Sequence, residues 1–291
     1  MITGHTAVDL LNEIHETLAS NGIDGSRTEA RYIIEHVLNA DYASIISGTT
    51  GFVTDESRKI ALEIVSERIS RKPLAYCLGS WNFFGLDFDI SEGVLVPRQD
   101  TEILVETAIG LIKNRYFEES HVLDLYSGIG VILISIAANM KIVAGVGVEI
   151  DPIAHGLSQA NKKKHNLDFL EFRNADVLTE LPRLNEQGRK FSVITANPPY
   201  VPTSVVTSLQ PEVSGFENPI ALDGGVDGLD HIRFLAENAG GVLKKDGVLF
   251  VEIGAGQDKD VIDIFKCWRI IDLKPDLNGI PRVLVAQYEQ S

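Results

Sequence analysis

Between about residue 100 and residue 253 the chain alternates short apolar runs with longer amphipathic stretches, and this rhythm restricts the available folds more than any other feature. The runs at 121–125, 142–149, 170–173, 191–196 and 247–253 have the length of strands. The intervening stretches, such as 152–165 and 229–242, carry helical spacing. Strands separated by helices pair in parallel and are covered on both faces, so an α/β fold with a mostly parallel sheet is expected. Two last runs, 268–273 and 282–288, are joined by a link containing Asn278-Gly279, which predicts an antiparallel hairpin at the sheet edge.

The first seventy residues follow another period. Leu11, Ile14 and Leu18 share a helical face, Ala30, Ile33, Ile34, Val37 and Leu38 a second, and Ala61, Ile64, Val65 and Ile69 a third. Ser26-Arg27-Thr28-Glu29 has the form of a capping box. A small helical module therefore precedes Pro73. Residues 78–90 turn aromatic and alternating, with Gly79 and Gly85 as punctuation, and predict a β-hairpin bridge.

Charge and composition exclude several classes. Acidic residues outnumber basic ones by 41 to 26, a net charge of −15, which does not supply the basic footprint of a nucleic-acid binder. Lys162-Lys163-Lys164 is the one basic run and reads as a solvated helix face. Cys77 and Cys267 have no paired spacing, so neither a disulfide framework nor a thiolate zinc site is expected. The scattered histidines predict no metal site, and neither Ser127 nor either cysteine has a sequence-visible base that would make it a covalent nucleophile. Residues 131–138, the longest apolar stretch, are too few to span a bilayer, and the acidic N-terminal stretch is unlike a signal peptide. The expectation is a cytoplasmic protein with no membrane partner.

Two constellations carry chemistry. Asp124-Leu125-Tyr126-Ser127-Gly128-Ile129-Gly130 follows a strand and precedes an apolar helix, where a ligand can approach loop backbone closely. A nicotinamide fingerprint would need glycine at 133, and Leu133 stands there. Glu149 ends the next strand, where its carboxylate can accept both ribose hydroxyls of a nucleoside; the other reading of the loop is a tight turn without a ligand. Gly145 and Gly147 lie inside that strand and are expected to relieve crowding. Asp176 is open to two readings, holding an adenine amino group or capping a helix.

The second constellation, Asn197-Pro198-Pro199-Tyr200, follows a strand and is expected at the carboxyl edge of the sheet beside the glycine loop. Two prolines stiffen it, so that the Asn197 side-chain oxygen and the Pro198 carbonyl face one planar amino group, with Tyr200 offering a flat face. A conjugated nitrogen is a poor nucleophile and gains most from such alignment. The competing reading is a rigid surface turn.

At these residues the sequence resembles the HemK family, the peptide chain release factor glutamine methyltransferases. Pro73-Leu74-Ala75-Tyr76 with Gly79 and the hairpin at 81–88 look like the family's interdomain bridge. The stretch Pro97-Arg98-Gln99-Asp100-Thr101-Glu102 is similar to its P-R-P-D-T-E segment. Glu212, Phe216-Glu217, Pro219, Ala221-Leu222 and Gly224-Gly225-Val226-Asp227-Gly228-Leu229 resemble its later block, followed by Glu252, Gly254, Gln257, Asp276, Gly279 and Arg282. The resemblance implies a seven-stranded Rossmann-like class I methyltransferase sheet. It implies a helical substrate-recognition domain over 1–75, a hairpin linker over 76–97 and an S-adenosylmethionine-dependent domain over 98–291. By the same resemblance, Tyr126, Ser127, Gly128, Ile129, Gly130, Glu149, Asp176, Val177 and Asn197 hold the cofactor. Asn197, Pro198, Pro199 and Tyr200 hold the glutamine of a release factor's Gly-Gly-Gln loop, with Asn197, Pro198 and Tyr200 catalytic. The chain departs from the pattern in Tyr126 and Ile129, where small residues are usual, in Glu149 for aspartate and in Gln99 for a frequent proline. A bulky residue at 126 either alters the loop or partly covers the cofactor pocket.

Other readings compete. A ribosomal-protein glutamine methyltransferase looks more like P-R-S-P-I at 97–102. An adenine-amino methyltransferase also uses N-P-P-Y, and the acidic charge weighs against it. A non-catalytic cofactor-binding protein is the third, motivated by Tyr126.

Overall fold

In the computed structural model, which describes residues 2–50, 52–114 and 120–289, the helical spacing near the N-terminus resolves into five helices and a small sheet. The order is β1 (Ile2–Thr6), α1 (Ala7–Ser20), α2 (Ser26–Leu38), α3 (Tyr42–Ile46), β2 (Phe52–Thr54), α4 (Asp55–Ile69) and α5 (Leu74–Leu78). Leu10, Ile14 and Leu18 of α1, Ile33 and Ile34 of α2, and Ala61 and Val65 of α4 are buried, the faces that the periodicity marks. The antiparallel pair β1 and β2 adds strands too short for any period to announce.

The capping box at Ser26 does not form. Gly25, at φ +71°, is the N-cap, so α2 starts at Ser26, whose hydroxyl lies 3.1 Å from His15 Nδ1. Glu29 turns instead to Arg68, which is 5% exposed and meets it through Nε and Nη2 at 2.8 and 3.2 Å. A true box caps α1, where Thr6 and Asp9 exchange backbone and side-chain hydrogen bonds. Residues 211–216 belong to this same compact unit with residues 1–80, and Glu212 accepts from Arg68 at 3.1 Å.

The second unit comprises residues 81–210 and 217–291. After the hairpin of β3 (Ser80–Phe83) and β4 (Leu86–Asp89) come α6 (Asp100–Asn114), β5 (His121–Leu125), α7 (Val131–Asn139), β6 (Ala144–Glu149), α8 (Pro152–Lys164), β7 (Glu171–Asn174), α9 (Val177–Glu186) and β8 (Phe191–Ala196). The one-turn helix α10 (Thr203–Val206) follows; α11 (Pro211–Ser214) belongs to the first unit, and the second resumes with α12 (Asp230–Asn238), β9 (Leu243–Glu252), α13 (Asp258–Ile264), β10 (Trp268–Pro275) and β11 (Pro281–Tyr288). The seven strands lie in the order β10-β11-β9-β8-β5-β6-β7, with β7 through β9 parallel and the hairpin β10-β11 antiparallel at one edge. Leu123, Leu125, Val146, Ile194 and Val251 join Leu181 of α9 and Ile232 of α12 in one core. The apolar stretch 131–138 lies in α7, buried from Val131 to Ile136, and no helix among the described residues is long and apolar enough to cross a membrane. Lys162, Lys163 and Lys164 end α8, where cations suit the helix dipole.

Gly145 and Gly147 do relieve crowding: a Cβ would stand 2.7 Å from Leu170 at the first and 2.4 Å from the Phe172 ring at the second. At Gly147 it would also come within 3.1 Å of Ser127 Oγ. Gly147→Ala is therefore expected to lose about 1–3 kcal/mol of stability through displacement of Phe172. Urea unfolding checks this, and an unchanged midpoint would show that the ring turns aside freely.

Candidate active site

Strands β5 and β8 are parallel neighbours with Leu125 opposite Ala196, so both end at one level. Residues 126–130 and 197–200 therefore leave the carboxyl edge of the sheet side by side, where ligands of open α/β sheets bind. Just inside that edge Asp124 is fully buried and accepts from Thr195 Oγ1 at 2.7 Å. Burial pushes its carboxyl up to about 7. Asp124 stands in the sequence as the first residue of the glycine-loop motif with no role of its own, although an acid inside an otherwise apolar strand was a visible signal.

The glycine loop winds through three left-handed residues, Tyr126, Gly128 and Gly130, at φ +59°, +54° and +89°. Ser127 N–H donates to the Val148 carbonyl at 3.0 Å and Gly130 N–H to the Ser127 carbonyl at 2.8 Å. Glu149, nearly buried at the end of β6, accepts Gly128 N–H on Oε2 and Asp151 N–H on Oε1, both at 2.8 Å. Burial raises its carboxyl pKa against the pull of those two amides. The buried Ile129 offers its carbonyl to Asn161 Nδ2 at 3.1 Å. Ser127 Oγ, also buried, has no hydrogen-bond partner among the described residues.

Tyr126, Glu149, Asp176, Val177, Pro199 and His231 line one cleft of about 350 Å³. Ile150, Leu178, Pro219 and Ile220 give it apolar walls. Of the expected cofactor set the cleft thus brings together Tyr126, Glu149, Asp176 and Val177, whereas Ser127, Gly128, Ile129 and Gly130 shape the loop and, like Asn197, do not line it. Asp176 caps α9, its Oδ1 accepting Leu178 N–H at 2.9 Å, and lines the cleft as well. The Tyr126 ring stands edge-on to His231, centroids 5.3 Å apart, with its hydroxyl 3.1 Å from Nδ1. The loop keeps the left-handed backbone despite the side chain, at a cost on the order of 1 kcal/mol, and the ring takes a place on the pocket wall. His231, 105 residues away along the chain, was missed, since no local pattern links it to the loop.

Asn197 to Tyr200 are built into a different set of contacts. Gln257 Nε2 donates to the Tyr200 carbonyl at 3.0 Å and to that of Gly228 at 3.3 Å, while its Oε1 accepts Gly254 N–H at 2.8 Å. Gly224 and Gly228 press against the turn: a Cβ would stand 2.7 Å from the Pro199 carbonyl at the first and 2.3 Å from that of Tyr200 at the second. Val201 N–H donates to Leu222 O and Gly224 N–H to Val201 O, at 2.9 and 2.8 Å. Tyr200 Oη donates to the buried Glu252 at 3.3 Å, and Asn197 Nδ2 to Thr101 Oγ1 at 3.2 Å. Arg98 Nη2 reaches both oxygens of buried Glu217, at 2.7 and 2.8 Å. The dispersed motifs thus converge on one stiffened turn.

A mostly parallel seven-stranded sheet of this order, with a glycine loop and a proline-stiffened turn on one edge, defines a Rossmann-like methyltransferase of class I. A putative methyltransferase complexed with SAH shares the fold at TM-score 0.51 and 14% identity, covering 69% of this chain and 53% of that one. Residues 9–79 match the PrmC N-terminal domain and 99–210 the methyltransferase small domain. A release factor glutamine methyltransferase of Geobacter sulfurreducens is 36% identical over 92% of this chain and 91% of its own length. One of Fusobacterium nucleatum is 35% identical over 96% of this chain and 78% of its own. The chain belongs to the release factor glutamine methyltransferase family. It is an enzyme, a protein-glutamine N-methyltransferase dependent on S-adenosylmethionine.

Glu149→Gln keeps the shape of the side chain but sets an NH₂ group against a backbone N–H. The expected result is a loss of S-adenosylmethionine affinity of roughly tenfold or more, the cost of one unmatched polar contact. Calorimetry measures it, and unchanged affinity would show that the loop is organised by other contacts.

Proposed function

We propose that the chain transfers the sulfonium methyl of S-adenosylmethionine to the side-chain amide nitrogen of the glutamine in the Gly-Gly-Gln loop of a peptide chain release factor. The observation that carries the reading is the Asn197-Pro198-Pro199-Tyr200 turn, pinned by Gln257 and by two close-packed glycines at the carboxyl edge of the sheet. In this reading the Asn197 Oδ1 and Pro198 carbonyl each accept one N–H of the substrate amide, and Pro199 and Tyr200 face the attached carbons. In this reading the enzyme works in the cytoplasm, beside the translation machinery that its substrate serves.

The site suits the cofactor. Three carboxylates, Glu149, Asp176 and Asp223, face a cleft with apolar walls, and Ser127 Oγ is a buried polar atom still lacking a partner among the described residues. In the proposed arrangement Tyr126, Ser127, Gly128, Ile129, Gly130, Glu149, Asp176, Val177 and Asn197 hold the cofactor. When bound, S-adenosylmethionine supplies an electrophilic methyl group. The chain's own part is alignment and electrostatics. As the amide nitrogen gains positive charge, its N–H groups bind the two fixed oxygens more strongly, so the turn stabilises the transition state more than the ground state. The Tyr200 phenol stays protonated, because burial and the neighbouring Glu252 push its pKa above the ordinary range. Residues 1–75 would grip the protein substrate, 76–97 link it, and 98–291 carry the chemistry.

Asn197→Ala removes one of the two oxygens and is expected to lower kcat/KM by roughly a hundredfold or more, the scale of losing one positioned transition-state contact. Mass spectrometry of a release factor incubated with enzyme and S-adenosylmethionine reads the modification. Absence of a methyl gain on the Gly-Gly-Gln glutamine with the unaltered enzyme, or full activity in Asn197→Ala, would overturn the proposal.

A further inference from the structure

The cleft at the carboxyl edge of the sheet is rich in side-chain acceptors and poor in donors. Glu149, Asp176 and Asp223 line it, and as carboxylates they only accept. The other polar side chains on its walls are Tyr126 and His231. S-adenosylmethionine carries atoms of both kinds. Its ribose hydroxyls, adenine amino group and ammonium group donate, and the carboxylates suit them. Its adenine ring nitrogens accept, and they lose water on entering a cleft walled by Ile150, Leu178 and Ile220. A ring nitrogen that finds no donor there costs affinity.

Tyr126 and His231 hold two protons between them, one on the phenol and one on the neutral imidazole. Burial lowers the His231 pKa against the pull of Asp176, Asp230 and Asp223, and burial raises that of Tyr126, so this count holds at neutral pH. The Tyr126 hydroxyl lies 3.1 Å from His231 Nδ1, and that contact takes one of the two protons. A phenol is the stronger acid and an imidazole nitrogen the stronger base, so the shared proton is the tyrosine's. Nδ1 is then the acceptor, and the ring's own proton stands on Nε2. Nε2 has no hydrogen-bond partner among the described residues. The two rings pack edge-on at an interplanar angle of 81°, which fixes the imidazole plane as well.

We infer that His231 is a cofactor-binding residue whose Nε2–H donates to a ring nitrogen of the adenine, and that Tyr126 is the positioning residue that holds it in that tautomer and orientation. The inference rests on the proposed placing of S-adenosylmethionine in this cleft. The strained φ of +59° at Tyr126 brings a hydroxyl to a histidine 105 residues away, a link that a glycine or alanine at 126 could not make.

Calorimetry with S-adenosylhomocysteine, and with analogues in which N1, N3 or N7 of the adenine is replaced by C–H, reads the contact directly. His231→Phe keeps a ring against Tyr126 and removes both nitrogens. In that variant S-adenosylhomocysteine is expected to bind roughly tenfold more weakly, while one of the three analogues binds parent and variant nearly alike, having no acceptor there to lose. Comparison of ligands on one protein separates this from a general weakening of the fold. Equal losses for all four ligands, or no loss for any, would overturn the inference. Nitrogen NMR of the ligand-free parent is expected to show His231 protonated at Nε2, and Tyr126→Phe to show the two tautomers mixed, with a smaller loss of affinity than His231→Phe. A parent protonated at Nδ1, or an unchanged tautomer in Tyr126→Phe, would overturn the positioning role. Addition of S-adenosylhomocysteine is expected to shift the ring resonances of both residues. If neither moves, the placing of the cofactor in this cleft fails; if both move and the analogues show no selectivity, only the donor role fails.

Discussion

The pairing of Leu125 with Ala196 across two parallel strands governs the rest of the site. Parallel register brings the next residues of both strands out at the same height, and the two loops that carry chemistry begin there, at Tyr126 and Asn197. A slip of one residue would exchange the faces of every side chain on β8 and turn the proline loop away from the glycine loop. Burial enforces the register. All six residues of β8 and four of five in β5 are buried, so no slipped pairing keeps both the Leu123-Leu125 face and the Asp124-Thr195 contact.

Acid groups are concentrated around this edge, and the protein handles each by a different device. Glu149 accepts from two backbone amides, Glu217 from the Arg98 guanidinium, Asp124 from the Thr195 hydroxyl and Glu252 from the Tyr200 hydroxyl, with Asp124 Oδ2 and Glu252 Oε2 left without a partner among the described residues. Burial nevertheless raises the pKa of all four. Groups whose charged form is disfavoured in the fold weaken it as pH rises from their unfolded values toward the folded ones, so these acids are poor choices for stability alone. Their value lies in geometry: each fixes the polarity of a hydrogen bond that an apolar residue would leave undefined.

Legibility in the sequence followed how local each constraint is. The central strands were readable because runs such as 121–125 and 191–196 are buried on both faces and therefore mostly apolar, and the edge hairpin because of its Asn278-Gly279 turn. The helices α1, α2 and α4 were readable from one buried face each. Features that depend on distant partners were not. Ser26 and Glu29 satisfy a capping pattern locally, yet His15 and Arg68 compete for their side chains and win. The strands β1 and β2 are too short to carry a period, and residues 211–216 join the first unit through a partner, Arg68, more than 140 residues earlier. In the site, Asn197, Glu149 and the glycines were legible as motifs, and their companions Thr101, His231 and Gln257 acquired meaning only from what they touch.

Tyr126 shows how a local rule is overridden without loss of the local structure. Its backbone adopts φ +59°, a conformation in which glycine is at ease and a tyrosine is strained. Loops usually reach this shape because their residues permit it. Here neighbours impose it: the Ser127 amide is tied to β6, Gly128 to Glu149, and Gly130 must pass close to the Phe172 ring. With the backbone settled by those contacts, the side chain at 126 is free to serve the pocket, and its hydroxyl joins the glycine loop to His231 on α12. Glycine would relieve the strain and break that link, so the strained residue couples the loop to the helix packed beside it.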